Sequence, residues 1–147
     1  VDQLVTRKLT DYRLALYASR SYLARTPAIE KREDLAAHAW IDYVDDLLFS
    51  QELKLLSSFC RNPRVVFHST SVIAQHQAAR SGLGIAVLPC FVAAGDPDLV
   101  PLLPEEGIQR SYWISSRREL HKSVRLRVLW DYVVELCAKE QGLLLGA

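Results

Sequence analysis

Residues 63–89, PRVVFHSTSVIAQHQAARSGLGIAVLP, narrow the possible folds more than any other stretch of this sequence. A short β-branched and aromatic run after Asn62-Pro63 reads as a strand, PRVVFHS. Serine and threonine then open a helical run, TSVIAQHQAARS, which Gly82 closes; GIAVLP follows as a buried strand stopped by Pro89. The same alternation extends both ways. QLVTRKL alternates apolar and polar residues like a half-exposed strand. YRLALYAS reads as a second strand after the turn-prone Thr10-Asp11, and Ser19 is placed to cap a short helix, RSYLA. KREDLAAHAW reads as a short helix leading into the strand WIDYV, and DDLLFSQELKLLSSFC fits a helix better than a strand. CFVAAG makes one or two helical turns, PDLVPLL an extended segment and RSYWISS an aromatic-rich strand. SVRLRVLWDYVVELCAKEQ is the clearest helix, with Leu126, Leu129, Trp130, Val133, Val134 and Cys137 forming an apolar stripe. Strands alternating with helices predict an α/β architecture with a substantially parallel sheet.

A chain of 147 residues can bury one domain or two small lobes. Eighteen basic residues against seventeen acidic ones leave a net charge of +1. That balance argues against nucleic-acid binding by the chain's own surface. Cys60, Cys90 and Cys137 have no paired spacing and lie in or beside apolar runs, as reduced buried thiols do. The charged opening VDQLVTRKLTDYRL is no signal peptide, and no apolar run is long enough to span a bilayer. The sequence contains no methionine and reads as a fragment or a processed product.

Ser69, Thr70 and Ser71 stand between a strand and a helix. The first N–H groups of a helix lack intrahelical partners and carry partial positive charge. Hydroxyls placed there can complete a site for an anion or carboxylate. A single hydroxyl capping the helix accounts for the same pattern with nothing bound. The glycines of SGLGIAVLP follow the helix instead of preceding it, so they do not form a phosphate loop. Gly82 suits a left-handed helix cap, and Gly84 a close backbone approach. His68 and His76 lack the Gly-x-Ser-x-Gly context of a serine nucleophile, and His76 lies more than a turn into the helix; partly exposed histidines are expected. The histidines and cysteines show no metal-ligand spacing, so neither metal nor cofactor is expected. Asp42, Asp45 and Asp46 in DYVDD read as a solvated loop before a cation or acid–base site. Tyr43 ends a strand on the side where α/β sheets usually receive ligands. Arg117, Arg118, His121, Lys122 and Arg125 form a basic cluster, consistent with an exposed loop and helix start or with an acidic partner.

LYASRSYLA, REDLAAHAWIDY, STSVIAQHQAARSGLGIAVLP, LVPLLPE and YWISSRRELHKSVRLRVLWDYVVEL, in that order, resemble the effector-binding region of LysR-type transcriptional regulators from about Leu14 to Leu136. The resemblance implies a periplasmic-binding-protein-like (type II) two-lobed α/β fold with one lobe incomplete. Residues 1–16 would be a partial lobe I, 17–109 lobe II, and 110–147 the return strand and last helix of lobe I. The crossover strands would lie around Leu14–Ser19 and Tyr112–Ser116.

The function so implied is a cytoplasmic, non-enzymatic ligand sensor in a homo-oligomeric regulator, dimer or tetramer. DNA would be bound only through a helix-turn-helix that this sequence lacks, and no membrane is involved. A small-molecule effector, an organic or inorganic anion among the candidates, would sit between the lobes. Carried over by position, effector contacts fall on Ser69, Thr70, Ser71 and Val72, on the loop after Tyr43, and on Ser19 at the lobe crossover. A solute-binding protein of an uptake system is the alternative reading. Much of the cover of the last helix is missing from this pattern, so its stripe is expected to meet another chain or further residues of the same protein.

Overall fold

A computed structural model describes residues 3–44 and 55–146. Asp45 and Asp46, and most of the helix expected in DDLLFSQELKLLSSFC, fall outside the described residues; a 3₁₀ turn at Leu56–Ser58 is the described part. The chain divides into two compact units, Val1–Arg13 with Gln109–Ala147, and Leu14–Ile108.

The strand β1 (Leu4–Ser19) runs through both units without the break expected at Thr10-Asp11. Thr10 is buried, and Asp11 is occupied by neighbours on both sides. The Ser111 hydroxyl donates to its carboxylate at 2.6 Å, and the Lys8 ammonium lies 2.8 Å away. Lys8 and then Ser111 hold the Asp11 carboxyl below the usual carboxylate range. A turn-prone pair thus stays extended because its side chains are satisfied there.

In the unit Leu14–Ile108, Ser19 ends β1 and caps α1 (Arg20–Ala24), as the sequence suggests. The KRED segment forms a 3₁₀ helix, Arg32–Ala37, and β2 (Ala39–Asp42) begins earlier than expected, taking in Ala39. Then come β3 (Arg64–His68), α2 (Val72–Arg80), β4 (Ile85–Pro89), α3 (Cys90–Ala93) and β5 (Leu99–Leu102). The sheet order is β3-β2-β4-β1-β5. β2 is parallel to β3 and β4, as strand–helix alternation requires, whereas β1 is antiparallel to β4 and β5.

All five residues of β4 and the last six of β1 are buried, the continuous burial of strands covered on both faces. On one face Ala15, Tyr17, Ile41, Ala86 and Leu88 pack with Ala78 and Ala79 of α2 and with Cys90 and Ala93 of α3. Small residues on α2 let the helix lie close to the sheet. Gly82 has φ +87° and ends α2, its N–H reaching the Ala79 carbonyl while Leu83 N–H reaches Ala78. These two bonds are the left-handed cap expected of that glycine.

Beside this sheet the Tyr22 hydroxyl accepts from Ala39 N–H (2.9 Å) and lies 3.0 Å from His38 Nδ1. The hydroxyl can give its own proton to Nδ1 when the imidazole is neutral and Nδ1 carries no proton, and burial favours the neutral ring. His38 is 1% exposed, and its Nε2 has no well-formed hydrogen bond among the described residues. Burial lowers its pKa from 6.5, opposed only in part by the Pro27 carbonyl and the Asp34 charge.

The folded state therefore binds fewer protons at this site than the unfolded chain does. This contribution is complete above the unfolded value of 6.5 and is lost as the pH falls through the lowered folded value. Urea unfolding of the protein should show stability declining as the pH falls below 6.5 and levelling off under the lowered folded value, and His38→Gln should flatten the decline. A slope unchanged in His38→Gln would assign it to another group.

In the other unit, β6 (Ile108–Arg117) pairs with β1 and leads through α4 (Arg118–His121) to α5 (Val124–Lys139) and α6 (Gln141–Leu145). Tyr12 and Tyr112 stack at 4.1 Å, and His121 meets Trp130 edge-on at 4.8 Å. Of the expected stripe only Trp130 is fully buried; Leu126, Val133, Val134 and Cys137 are half-buried, and Leu129 is exposed. Val124, Val128, Tyr132 and Leu136 also stand in the open on α5, as does Trp113 on β6.

Candidate functional site

The parallel pair β2 and β3 ends at Asp42 and His68, which are register partners. Their exits are tied together. Ser69 N–H donates to the Asp42 carbonyl at 3.0 Å, and His68 Nδ1 lies 3.2 Å from the Tyr43 carbonyl, which can only accept. Tyr43 and the turn Ser69–Thr70–Ser71 are thereby brought side by side at one end of the sheet.

Within the turn the serines are committed inward. The Ser69 hydroxyl accepts from Ser71 N–H (3.1 Å), and the Ser71 hydroxyl caps α2 by accepting from Ala74 N–H (3.3 Å). Thr70 lies between them, exposed, with no hydrogen-bond partner for its hydroxyl among the described residues. The side chain of Val72 packs against the core cluster, so only its main chain belongs to the helix opening. The capping reading thus holds for Ser71, and Thr70 is the hydroxyl left over.

Ser19 is not brought to this turn. β1 is antiparallel to β4, with Leu14 opposite Pro89 and Tyr17 opposite Ala86, so Ser19 falls at the end where β2 and β4 begin. A Cβ on Gly82, at the far end of α2, would sit 3.4 Å from its Oγ. The Ser19 side chain is buried, accepts from Tyr22 N–H at 3.1 Å and hydrogen-bonds Ser21 Oγ at 3.0 Å. Its position at a strand end was legible; which end of the sheet it occupies depends on strand direction.

Neither histidine hydrogen-bonds a serine of the turn. His76 is partly exposed, as expected, 13% at the side chain, with Nε2 3.0 Å from the Asp96 carboxylate and Nδ1 accepting from Gln77 Nε2 at 3.2 Å. Arg80 also approaches Asp96 and Asp98, closing an ion-pair group that ties α2 to the loop before β5. Asp42 Oδ1 accepts from Tyr43 N–H at 2.8 Å. Among the described residues no cluster of three or more His, Cys, Asp or Glu side chains could hold a metal ion, and no helix is long and apolar enough to cross a membrane. Cys60 and Cys90 are buried and Cys137 half-buried, all as free thiols. What the turn can offer chemically is a hydroxyl, helix-opening N–H groups and the neighbouring Tyr43, a set suited to holding a polar group. No general base is aligned with a nucleophile here.

Sequence reasoning missed Gln75. It is 2% exposed, and its side-chain amide donates to the Ser69 carbonyl at 2.8 Å. The signal was its place on the same helix face as Ala78 and Ala79, where a polar side chain must find an internal partner.

A family profile described as the LysR substrate binding domain matches residues 1–138. Among solved structures, the regulatory domain of CrgA, a LysR-type transcriptional regulator from Neisseria meningitidis, is similar with 26% identity and a TM-score of 0.71, over 92% of this chain and 69% of that one. The regulatory domain of CcmR from Synechocystis PCC6803, in complex with 2-PG, is similar with 25% identity and a TM-score of 0.67, over 91% and 67%. Full-length AphB, a virulence activator from Vibrio cholerae, shares the fold at 21% identity with a TM-score of 0.67, over 91% of this chain and 48% of that one. A comparison with curated proteins returns no match.

Proposed function

The chain belongs to the LysR substrate-binding domain family, the ligand-sensing part of LysR-type transcription regulators, and on that footing we propose where and how it senses. A small effector is held by polar contact at Thr70 and the helix-opening N–H groups around Ser71 and Val72, with Ser69 shaping the turn and Tyr43 forming the adjacent wall. Ser19, buried and committed to its own cap, is left out of the contact set. The observation that carries this reading is the tie between Asp42 and Ser69, which sets Tyr43 beside the one hydroxyl of the turn with no internal duty.

Binding leaves the effector chemically unchanged, so the domain is not an enzyme. It acts in the cytoplasm by favouring one arrangement of the lobes, 1–16 with 110–147 and 17–109, and DNA is bound by a helix-turn-helix outside these residues. The family assignment favours this reading over an uptake protein. The exposed apolar residues of α5 support a homo-oligomer or other protein cover. Small anions suit a helix opening, and the 2-PG held by the Synechocystis relative belongs among the compounds to try.

Purified protein should be titrated with small carboxylates, sulfate, phosphate and 2-PG while Tm is followed, and its oligomeric state read by sedimentation. At least one compound is expected to raise Tm. Thr70→Val should abolish that rise while moving the unliganded stability by no more than about 0.5 kcal/mol, as at other surface positions. A rise that survives Thr70→Val would remove the turn from the site, and a monomer with no exposed apolar surface would remove the oligomer.

A further inference from the structure

We propose that Gln75 is a positioning residue: a buried side-chain amide that fixes the Ser69–Thr70–Ser71 turn from beneath and so sets the direction in which Thr70 is presented. The inference rests on the reading of that turn as an effector contact, and assigns a residue that does not itself touch the effector.

Two carbonyls of the turn converge on this one residue. Gln75 Nε2 donates to the Ser69 carbonyl at 2.8 Å, and Gln75 N–H donates to the Ser71 carbonyl at 3.0 Å. The hydroxyls of the same serines accept from Ser71 N–H and Ala74 N–H. The Ser69 N–H is held in turn by Asp42 at the end of β2. Ser69 is thus fixed through N–H, carbonyl and hydroxyl together, which leaves Thr70 little freedom.

The Ser69–Gln75 bond is the side-chain link in this set that joins the turn to the buried face of α2. The second residue before Ser71 lies outside the helix, so no helical N–H of α2 takes over its carbonyl once the Gln75 amide is removed. A contact residue held rigidly loses less freedom on binding, so a loosened turn should bind more weakly with every direct contact still available.

Two substitutions separate positioning from bulk stability. Gln75→Leu removes the donor and keeps an apolar side chain of similar length. Gln75→Glu keeps the shape and makes the donor pH-dependent: the protonated carboxyl donates O–H to the Ser69 carbonyl, whereas the carboxylate has no proton to give. Burial raises the pKa of such a group, which brings its titration into a usable range.

Hydrogen exchange in the intact protein, corrected for chemical exchange and referenced to wild type at each pH, reads the turn directly. In Gln75→Leu the amides of residues 69–71 should exchange about three- to tenfold faster, the equivalent of one lost hydrogen bond, with β4 unchanged. Gln75→Glu should resemble wild type at pH near 5 and Gln75→Leu at pH near 8. The Tm rise produced by the anion panel should follow the same pH pattern in Gln75→Glu, whereas Thr70→Val lacks the rise at both pH values. Turn exchange unchanged in Gln75→Leu, or a Gln75→Glu profile no different from wild type, overturns the positioning role. The expected exchange pattern together with an undiminished response in Thr70→Val would keep Gln75 as the anchor of the turn and discard the effector contact itself.

Discussion

Gly84→Val is expected to destabilise the fold at or beyond the upper end of the range of about 1–3 kcal/mol typical of overpacking. The cause is backbone against backbone. A Cβ at Gly84 would lie 2.5 Å from the Ala39 carbonyl oxygen and 2.8 Å from its carbon, at the point where β4 enters its parallel pairing with β2. Neither strand can yield cheaply. Ala39 N–H is bonded to the buried Tyr22 hydroxyl at 2.9 Å, and Trp40 and Ile85, the next residues along, are register partners with no exposed surface.

Gly82, two residues earlier, provides the contrast. Its φ of +87° favours glycine, but a Cβ there would meet the side chains of Ser21 and Arg25 at 3.0 and 3.2 Å, which can move. Gly82→Ala should therefore cost about 1–2 kcal/mol, the strain of a left-handed residue. Urea midpoints of Gly82→Ala and Gly84→Val decide the order. A Gly84→Val midpoint equal to wild type would mean that β2 and β4 separate freely at their start.

Both glycines were legible because each announces itself through neighbours in sequence, one after a helical run and the other before a buried strand. Features that depend on strand direction were not. The alternation of strands and helices along the chain correctly implied parallel pairing of β2 with β3 and β4, yet nothing in the apolar pattern of β1 says that it runs antiparallel to β4. Ser19 could therefore be recognised as a cap without revealing which end of the sheet it occupies. The uninterrupted β1 was hidden for a similar reason: Asp11 stays extended because Ser111, one hundred residues away, satisfies it. The partner of His76, Asp96, is equally invisible to helical spacing. Within the site, the hydroxyl turn was plain in the sequence. The division of labour among Ser69, Thr70 and Ser71 needed the coordinates, since three adjacent hydroxyls look alike until their partners are known.

Trp40→Ala should cost about 3–5 kcal/mol, the loss found when a large aromatic side chain is deleted from a core. Trp40 has 0% exposure and heads the largest fully buried side chains, at the centre of β2 between register partners Val65 and Ile85. Volume, not the indole hydrogen bond, should dominate. Trp40 Nε1 donates to the Leu35 carbonyl at a long 3.3 Å, and that carbonyl also accepts from His38 N–H at 3.2 Å, so it keeps a partner when the indole is gone. Trp40→Phe, which retains most of the apolar volume and loses that bond, should therefore cost well under half as much as the alanine variant, about 1–2 kcal/mol. Domains of this size are stable by roughly 5–15 kcal/mol, so the alanine variant should populate unfolded chain under mild urea while the phenylalanine variant stays folded. Equal losses in the two variants would mean that the Leu35 bond, and with it the 3₁₀ segment before β2, holds the strand in place more than the filled volume does.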